Sequence, residues 1–436
     1  MQATINKTNI PDIVLEISDR LIKNGYKAFI VGGAVRDSML GCDVKDWDVA
    51  TNASPDRIKN LFHYMTSFDL KHGTVTLVSR GRHFEVTTFR GKKKISMNIE
   101  EDLSHRDFTL NAMAYDITNN SIIDPFYGQR DIKKKTIRAV GSALERFQED
   151  PLRMIRAVRF SLELRYTIDQ STLNAINLMK ADIDKVSIER IRDEFLKILA
   201  TEKPSVGFNL LRKTGLLTQI MPELLEGYRK RQNDYHKYTI YRHSMETIDF
   251  VERDPVLRLS ALFHDISKPR VREKIDGKWR FYNHASSSAE LARDIMMRMK
   301  FSNEWINIVT GLVSNHMFDY RKDLSGRAIR RFLKKVGIGN VDRLINLRRA
   351  DNLAHGWKTV PEKRLNDFKE RIDALKKKFP PLTISDLKIN GNDVMNELTI
   401  NPGPDVGRIL NRLLEAVIEE PELNEKGRLM EKLKTI

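Results

Sequence analysis

The stretch from Phe29 to Ala50, FIVGGAVRDSMLGCDVKDWDVA, constrains this chain more than any other. Ala28-Phe29-Ile30-Val31 is a β-branched and aromatic run that predicts a buried strand. Gly32 and Gly33 follow, then a helical turn carrying Arg36 and Asp37. Glycines at a strand-to-helix junction let backbone N–H groups approach a phosphate chain, and the new helix's N-terminus favours the anion. Alone, a Gly-Gly pair is an ordinary turn. Asp46-Trp47-Asp48 sharpens the reading, because residues two apart in a strand share a face. Both carboxylates then project together while Trp47 turns into the core. Two adjacent carboxylates repel unless a cation neutralises them, and Mg²⁺ takes one or two carboxylates together with substrate phosphates.

The chain's 436 residues predict two to four domains. A formal net charge of +16, spread along the sequence rather than held in one tail, predicts a polyanionic partner. Cys42 is the single cysteine, which excludes an internal disulfide and points to a reducing compartment. With no apolar run near 18 residues and no signal-peptide pattern, a cytoplasmic, soluble protein is expected.

Residues 1–26 read as an amphipathic helix, with Ile13, Val14, Ile17, Leu21 and Ile22 at helical spacing. A helix over residues 55–63 and strands Thr74–Val78 and His83–Phe89 come next. Glu85 lies on the second of these strands: beside the Asp strand it is a third metal-site carboxylate, elsewhere an edge glutamate. Gly91 to Ser104 is a basic-then-acidic loop. After Gly141 the pattern turns helical, with Asp150 an N-cap and Pro151 the first residue of a helix bearing Arg153, Arg156 and Arg159.

Gly32-Gly33, Val35-Arg36-Asp37, Leu40-Gly41, Lys45-Asp46 and Asp48 resemble the first motif of the class II tRNA nucleotidyltransferases, the CCA-adding enzymes and their relatives in the polymerase-β superfamily. The resemblance runs through nearly the whole chain. His105-Arg106-Asp107-Phe108-Thr109-Leu110-Asn111 resembles the second motif, with His105 where the family usually has arginine. Asp124-Pro125-Phe126-Tyr127-Gly128 with Asp131 looks like the third motif, and Glu149-Asp150-x-x-Arg153 like the nucleotide-reading one. Ser187-Ile188-Glu189-Arg190-Ile191-x-x-Glu194 fits the neck motif, read as helix-bracing charge pairs. His243, His264-Asp265 and Asp351 match the HD phosphohydrolase pattern, with His284 and His316 at the positions of its extra histidines and Lys268 close behind. Imidazole and carboxylate together suit a divalent transition metal better than Mg²⁺.

The resemblance implies an α+β chain: a polymerase-β-like nucleotidyltransferase head (1–140), then all-α neck (141–205), body with an HD domain (206–380) and tRNA-binding tail (381–436). It implies template-independent, two-metal phosphoryl transfer of cytidines from CTP onto the tRNA 3′ end. Asp46 and Asp48 would be catalytic and hold Mg²⁺. Gly32, Gly33, Arg36, Arg106, Asp107, Asn111, Asp150, Arg153, Arg156 and Arg159 would bind the nucleotide. An accepting aspartate beside a donating arginine suits cytosine and adenine, which present an amino donor next to a ring-nitrogen acceptor. Uracil and guanine present the opposite order and leave groups unpaired, costing about 1–3 kcal/mol each.

Set beside the family it resembles, the loop at 91–104 looks roughly ten residues shorter than in CCA-adding members and is similar to that of relatives that add only two cytidines. CC addition is therefore the leading reading, with a separate enzyme supplying the final A. Full CCA addition from CTP and ATP is second. A poly(A) polymerase fits less well, because Asn111-Ala112-Met113-Ala114 and His72-Gly73-Thr74-Val75-Thr76 look like the tRNA enzymes. An HD phosphohydrolase whose head only binds RNA is the remaining alternative. In the tail, Gly391, Pro402-Gly403-Pro404 and Gly407 precede an apolar helix, Ile409 to Ile418, and serve either a phosphate contact or a plain helix cap.

Overall fold

A computed structural model describes residues 5, 7–69, 73–91, 98–234, 236–356, 362–378 and 383–435. The chain divides into two compact units, Met1–Thr201 with Val206–Ile220, and Glu202–Ser205 with Met221–Ile436.

The first unit is built on a seven-stranded sheet. In chain order its elements begin with α1 (Asp12–Lys23), β1 (Ala28–Val31), α2 (Gly33–Met39), β2 (Asp48–Thr51) and α3 (Pro55–Leu61). They continue with β3 (Thr66–Asp69), β4 (Thr74–Ser79), β5 (Arg82–Thr88), α4 (Ile99–Ser104), β6 (Ala114–Asp116) and β7 (Ser121–Ile123). The strand order is β3-β4-β5-β2-β1-β6-β7, and β2 beside β5 is parallel with Asp48 opposite Glu85. Every residue of β1 is buried, as its continuous apolar run requires. Phe29, Val31, Ala50, Phe89, Ile99, Leu103, Ala112, Ala114 and Val140 form a core on one side of the sheet. Burying each of the large ones contributes about 1.5–3 kcal/mol, which fixes the register and with it the face on which Asp48 stands.

Past the sheet come α5 (Gly128–Lys133), α6 (Ala143–Glu149), α7 (Leu152–Leu164), α8 (Gln170–Met179) and α9 (Ile188–Leu199). The aspartate expected to cap α7 does so from one residue farther out. Asp150 closes α6, Pro151 takes the cap position, and Asp150 Oδ1 accepts the Leu152 N–H at 3.2 Å. The N-terminal helix is shorter than its periodicity suggested, because Pro11 sets its start; residues 1–4 and 6 of the expected span lie outside the described ones.

Among the described residues, the regular structure of the second unit is helical apart from a hairpin, Glu273–Ile275 with Lys278–Arg280. Helices Ile240–Phe250, Pro255–Phe263, His284–Arg298, Asn303–Asn315 and Val341–Ala354 converge on a set of histidines. The helix expected from Ile409 begins earlier, at Pro404, and runs to Glu419. With Gly391–Leu398 and Lys426–Leu433 it closes a small core of Leu387, Ile389, Val394, Leu413, Leu414 and Ile418. No described helix is long and apolar enough to cross a membrane.

Candidate active site

A cavity of about 720 Å³ opens in the first unit, lined by Gly32, Gly33, Arg36, Asp46, Asp48, Glu85, Arg106, Asp107, Asn111, Asp150, Arg153, Arg156 and Arg159. Every head and neck residue expected at the site therefore borders one space. Asp46 departs from expectation in one respect: it lies in the coil ahead of β2, which starts at Asp48. The alternation still holds, with Trp47 only 6% exposed. The parallel pairing of β2 and β5 puts Glu85 directly beside Asp48. Burial, then Glu85, and more weakly Asp46, push Asp48 up to about 6, against the opposing pull of Arg106. A crowded, half-desolvated carboxylate of this kind fits a hard cation, which would relieve the repulsion from both neighbours.

Gly32 carries φ +72°, and a Cβ there would lie 2.7 Å from Arg106 Nη1 and 3.7 Å from Asp48 Oδ2. Only glycine lets the turn pass beneath that guanidinium. Asp102 in turn holds Arg106, accepting from Nε at 3.3 Å and Nη2 at 3.2 Å.

Other arginines are anchored from inside the fold. Arg36 gives two hydrogen bonds to Asp37 and one, from Nη1, to Asn111 Oδ1 at 2.7 Å. Asp107 accepts from Phe108 N–H and Asn111 Nδ2 at one oxygen, and from Arg156 Nε and Nη2 at the other. Although burial opposes its charge, Arg156 and these donors hold Asp107 down at about 2. A carboxylate accepts about four hydrogen bonds. Asp107 is thus saturated and braces Arg156, leaving no lone pair for the nucleotide that the resemblance implied it would bind. Arg159 is spent similarly, on buried Glu194 at 2.7 Å and on Glu163.

Asp150 and Arg153 stand a helical turn apart. Arg153 Nη1 donates to Glu149 Oε2 at 2.9 Å and to the Arg146 carbonyl at 3.2 Å, and Nη2 donates to the His105 carbonyl at 2.7 Å. Asp150 is held by Arg190, a contact that the neck pattern, read only as bracing between helices, did not reveal.

A second cluster lies wholly within the second unit. His243 Nε2 is 3.2 Å from His264 Nε2 and 3.0 Å from Asp351 Oδ1, and His264 Nε2 is 3.2 Å from Asp265 Oδ2. On its other oxygen Asp265 meets His284 Nε2 at 3.5 Å and His316 Nε2 at 3.7 Å. All six expected ligand-type residues are brought together. Two sets of donors, His243-His264-Asp265 and Asp265-His284-His316, share the Asp265 carboxylate. His236 and His355 extend the cluster, their rings 4.4 Å apart. The helical i,i+4 spacing of Asp351 and His355 was a usable signal for the latter; nothing in the spacing marks His236.

Asp265 Oδ1 and His284 Nε2 are buried and make no hydrogen bond among the described residues. Orphaned buried groups of this kind are what a cation satisfies. Burial also keeps His316 neutral, at about 3, so its lone pair is free to ligate. Asp265 and Asp351 outweigh burial at His264 and raise it to about 10, while Lys268 sits on Asp265 Oδ2 at 2.6 Å. The donor set fits a transition metal.

Fold and first site together define a class: a polymerase-β-like nucleotidyltransferase head followed by helices. Residues 28–138 match the model for the poly(A) polymerase head domain, 165–227 that described as the probable RNA and SrmB-binding site of polymerase A, and 273–433 that described as tRNA nucleotidyltransferase domain 2. The chain is 30% identical over 432 residues to the CCA-adding enzyme of Lactococcus lactis subsp. lactis strain IL1403, with 96% of each covered. It is likewise 30% identical over 451 residues to that of Ligilactobacillus salivarius, covering 98% of each. Among solved structures it resembles the Bacillus stearothermophilus CCA-adding enzyme in complex with CTP, at 28% identity and a TM-score of 0.69, covering 97% of this chain and 96% of that one. The chain belongs to the CCA-adding enzyme family of tRNA nucleotidyltransferases.

Proposed function

We propose that this protein adds cytidines from CTP to the 3′ end of tRNA without a nucleic-acid template, and stops after two. The observation that carries the transferase reading is the single cavity in which Asp46, Asp48 and Glu85 face an arginine-rich wall. Asp46 and Asp48, with Glu85 beside them, would hold Mg²⁺, which neutralises phosphate charge and aligns the attacking hydroxyl and triphosphate. Arg36 and Arg106, preset by Asp37, Asn111 and Asp102, bind the triphosphate. Asp150 and Arg153 read the base edge, so that catalysis is mostly positioning. Relatives named as CCA-adding enzymes and a neighbour solved with CTP support the substrate class.

The stop after two rests on the chain between β5 and α4, which is only residues 89–98; positions 92–97 of that loop lie outside the described residues. The names of the relatives favour full CCA addition instead. Incubation of tRNA lacking its CCA end with labelled CTP, ATP or both decides between them: a product two nucleotides longer that ATP does not extend supports the proposal. In this reading residues 1–140 transfer, 141–205 read the base, 206–380 form the body and 381–436 grip tRNA.

We further infer that the histidine cluster is a divalent transition-metal centre with phosphohydrolase chemistry. Its support is the shared Asp265 carboxylate between two sets of imidazoles.

A further inference from the structure

Arg190 reaches from α9 to the residue expected to read the base. Its Nη2 donates to Asp150 Oδ2 at 2.8 Å and its Nη1 to Asp150 Oδ1 at 3.2 Å. The Leu152 N–H also donates to Oδ1, at 3.2 Å. A carboxylate offers about four acceptor positions, and a guanidinium has five N–H donors. Three acceptor positions of Asp150 are therefore taken, and one, on Oδ2, is left. Arg153 spends three of its donors on Glu149, Arg146 and His105, which leaves Nε–H and one Nη2–H.

The open valences are thus one acceptor on Asp150 beside two donors on Arg153. The Watson–Crick edge of cytosine is their complement: one amino hydrogen, then the N3 and O2 acceptors. Adenine offers the amino hydrogen and N1. Uracil sets a carbonyl oxygen against the carboxylate and has its N–H one position along. To meet that N–H the carboxylate must turn, and the two-pronged grip of Arg190 prevents it.

We propose that Arg190 is a specificity-determining positioning residue, holding the plane of the Asp150 carboxylate so that a single lone pair faces the amino group of cytosine or adenine. This rests on the nucleotidyltransferase reading. Without Arg190 the carboxylate regains two acceptor positions and its rotation, and can take the ring N–H of uracil or guanine.

The test is single-nucleotide addition to tRNA lacking its CCA end, with kcat and KM measured separately for CTP and UTP in wild type, Arg190→Gln and Arg190→Lys. In Arg190→Gln the ratio of kcat/KM for CTP over UTP is expected to fall at least about tenfold, the order of one misplaced hydrogen bond. Lysine keeps the charge but not the fork, so its ratio should fall between the other two. Arg190 is 52% exposed at the side chain, and exposed ion pairs add little stability, so both variants should melt near wild type. If Arg190→Gln does not fold, Arg190→Lys carries the test, because its ratio must still drop. A uniform loss of kcat with every nucleotide at an unchanged ratio would reduce Arg190 to a brace and overturn the proposal. Wild-type protein that transfers neither nucleotide overturns the transferase reading as well, and is recognised by failing before any variant is compared.

Discussion

At the scale of single residues, Asp48 gathers the most physics. It stands at the start of β2 with Glu85 opposite and Asp46 two residues back, and its carboxyl titrates near 6. Replacing Asp46 or Asp48 by alanine is expected to reduce nucleotide transfer by on the order of a thousandfold, because several kcal/mol of metal-borne stabilisation is lost. tRNA affinity, measured by filter binding, should stay near wild type. The raised value has a second consequence, with a definite sign. An acid whose folded value lies above its unfolded one contributes stability fully present below about pH 4, and loses it as pH rises through 6. The shift corresponds to at most roughly 3 kcal/mol. In EDTA, Asp48→Asn should therefore gain melting temperature relative to wild type between pH 5 and 7.5. At limiting Mg²⁺ the wild-type transfer rate should fall below pH 6, where a proton competes with the cation. The alternation of carboxylates around Trp47 was legible in the sequence. The saturation of Asp107 was not, because it depends on Arg156 arriving from a helix 49 residues away.

At the scale of elements, legibility followed the length and pattern of each segment. β1 and β5 carry continuous or alternating apolar residues and were readable. β6 and β7, of three residues each, were missed, since so short a strand has no period and is set by its neighbours in the sheet. The pairing of β2 with β5, which settles where Glu85 stands, is parallel and therefore long-range. No turn between adjacent strands announces it. In the proposed reading, the join of β5 to α4 is the element on which the product length turns. Arg146 Nη1 donates to the Ser104 carbonyl at 2.7 Å, and Arg153 to that of His105, so the end of α4 is tied directly to the helices proposed to read the base. A longer segment entering α4 would have the reach to move those carbonyls and with them Arg153. Inserting about ten residues from a CCA-adding relative between Arg90 and His105 should let the product grow from two added nucleotides to three when ATP is present. Product length on a sequencing gel checks this, and full CCA addition by the unaltered chain would remove the premise.

At the scale of the whole molecule, a net charge of +16 makes binding of tRNA a counterion-release problem, with affinity falling steeply as salt rises. The same scale separates the two proposed chemistries. The carboxylate cavity lies entirely in the first unit and the histidine cluster entirely in the second, so neither borrows a ligand from the other. Their donors differ as well: oxygen in the first, mostly imidazole nitrogen in the second, which separates their metal preferences. His264 sits at the centre of the second set, within 3.2 Å of both His243 and Asp265. His264→Ala is therefore expected to abolish Ni²⁺- or Mn²⁺-dependent cleavage of a 2′,3′-cyclic phosphate while leaving CTP addition within about twofold of wild type, the scatter expected between sites that share no partner. Stripping the transition metal with a chelator and restoring only Mg²⁺ should give the same split in the unmutated protein. Because His264 holds a proton up to about pH 10 when no cation displaces it, metal binding must release that proton, and the metal-dependent cleavage should weaken as pH falls. Loss of both activities in a folded His264→Ala protein would show that the centres are coupled. A mutant that keeps the cleavage would show that the cluster serves the fold alone.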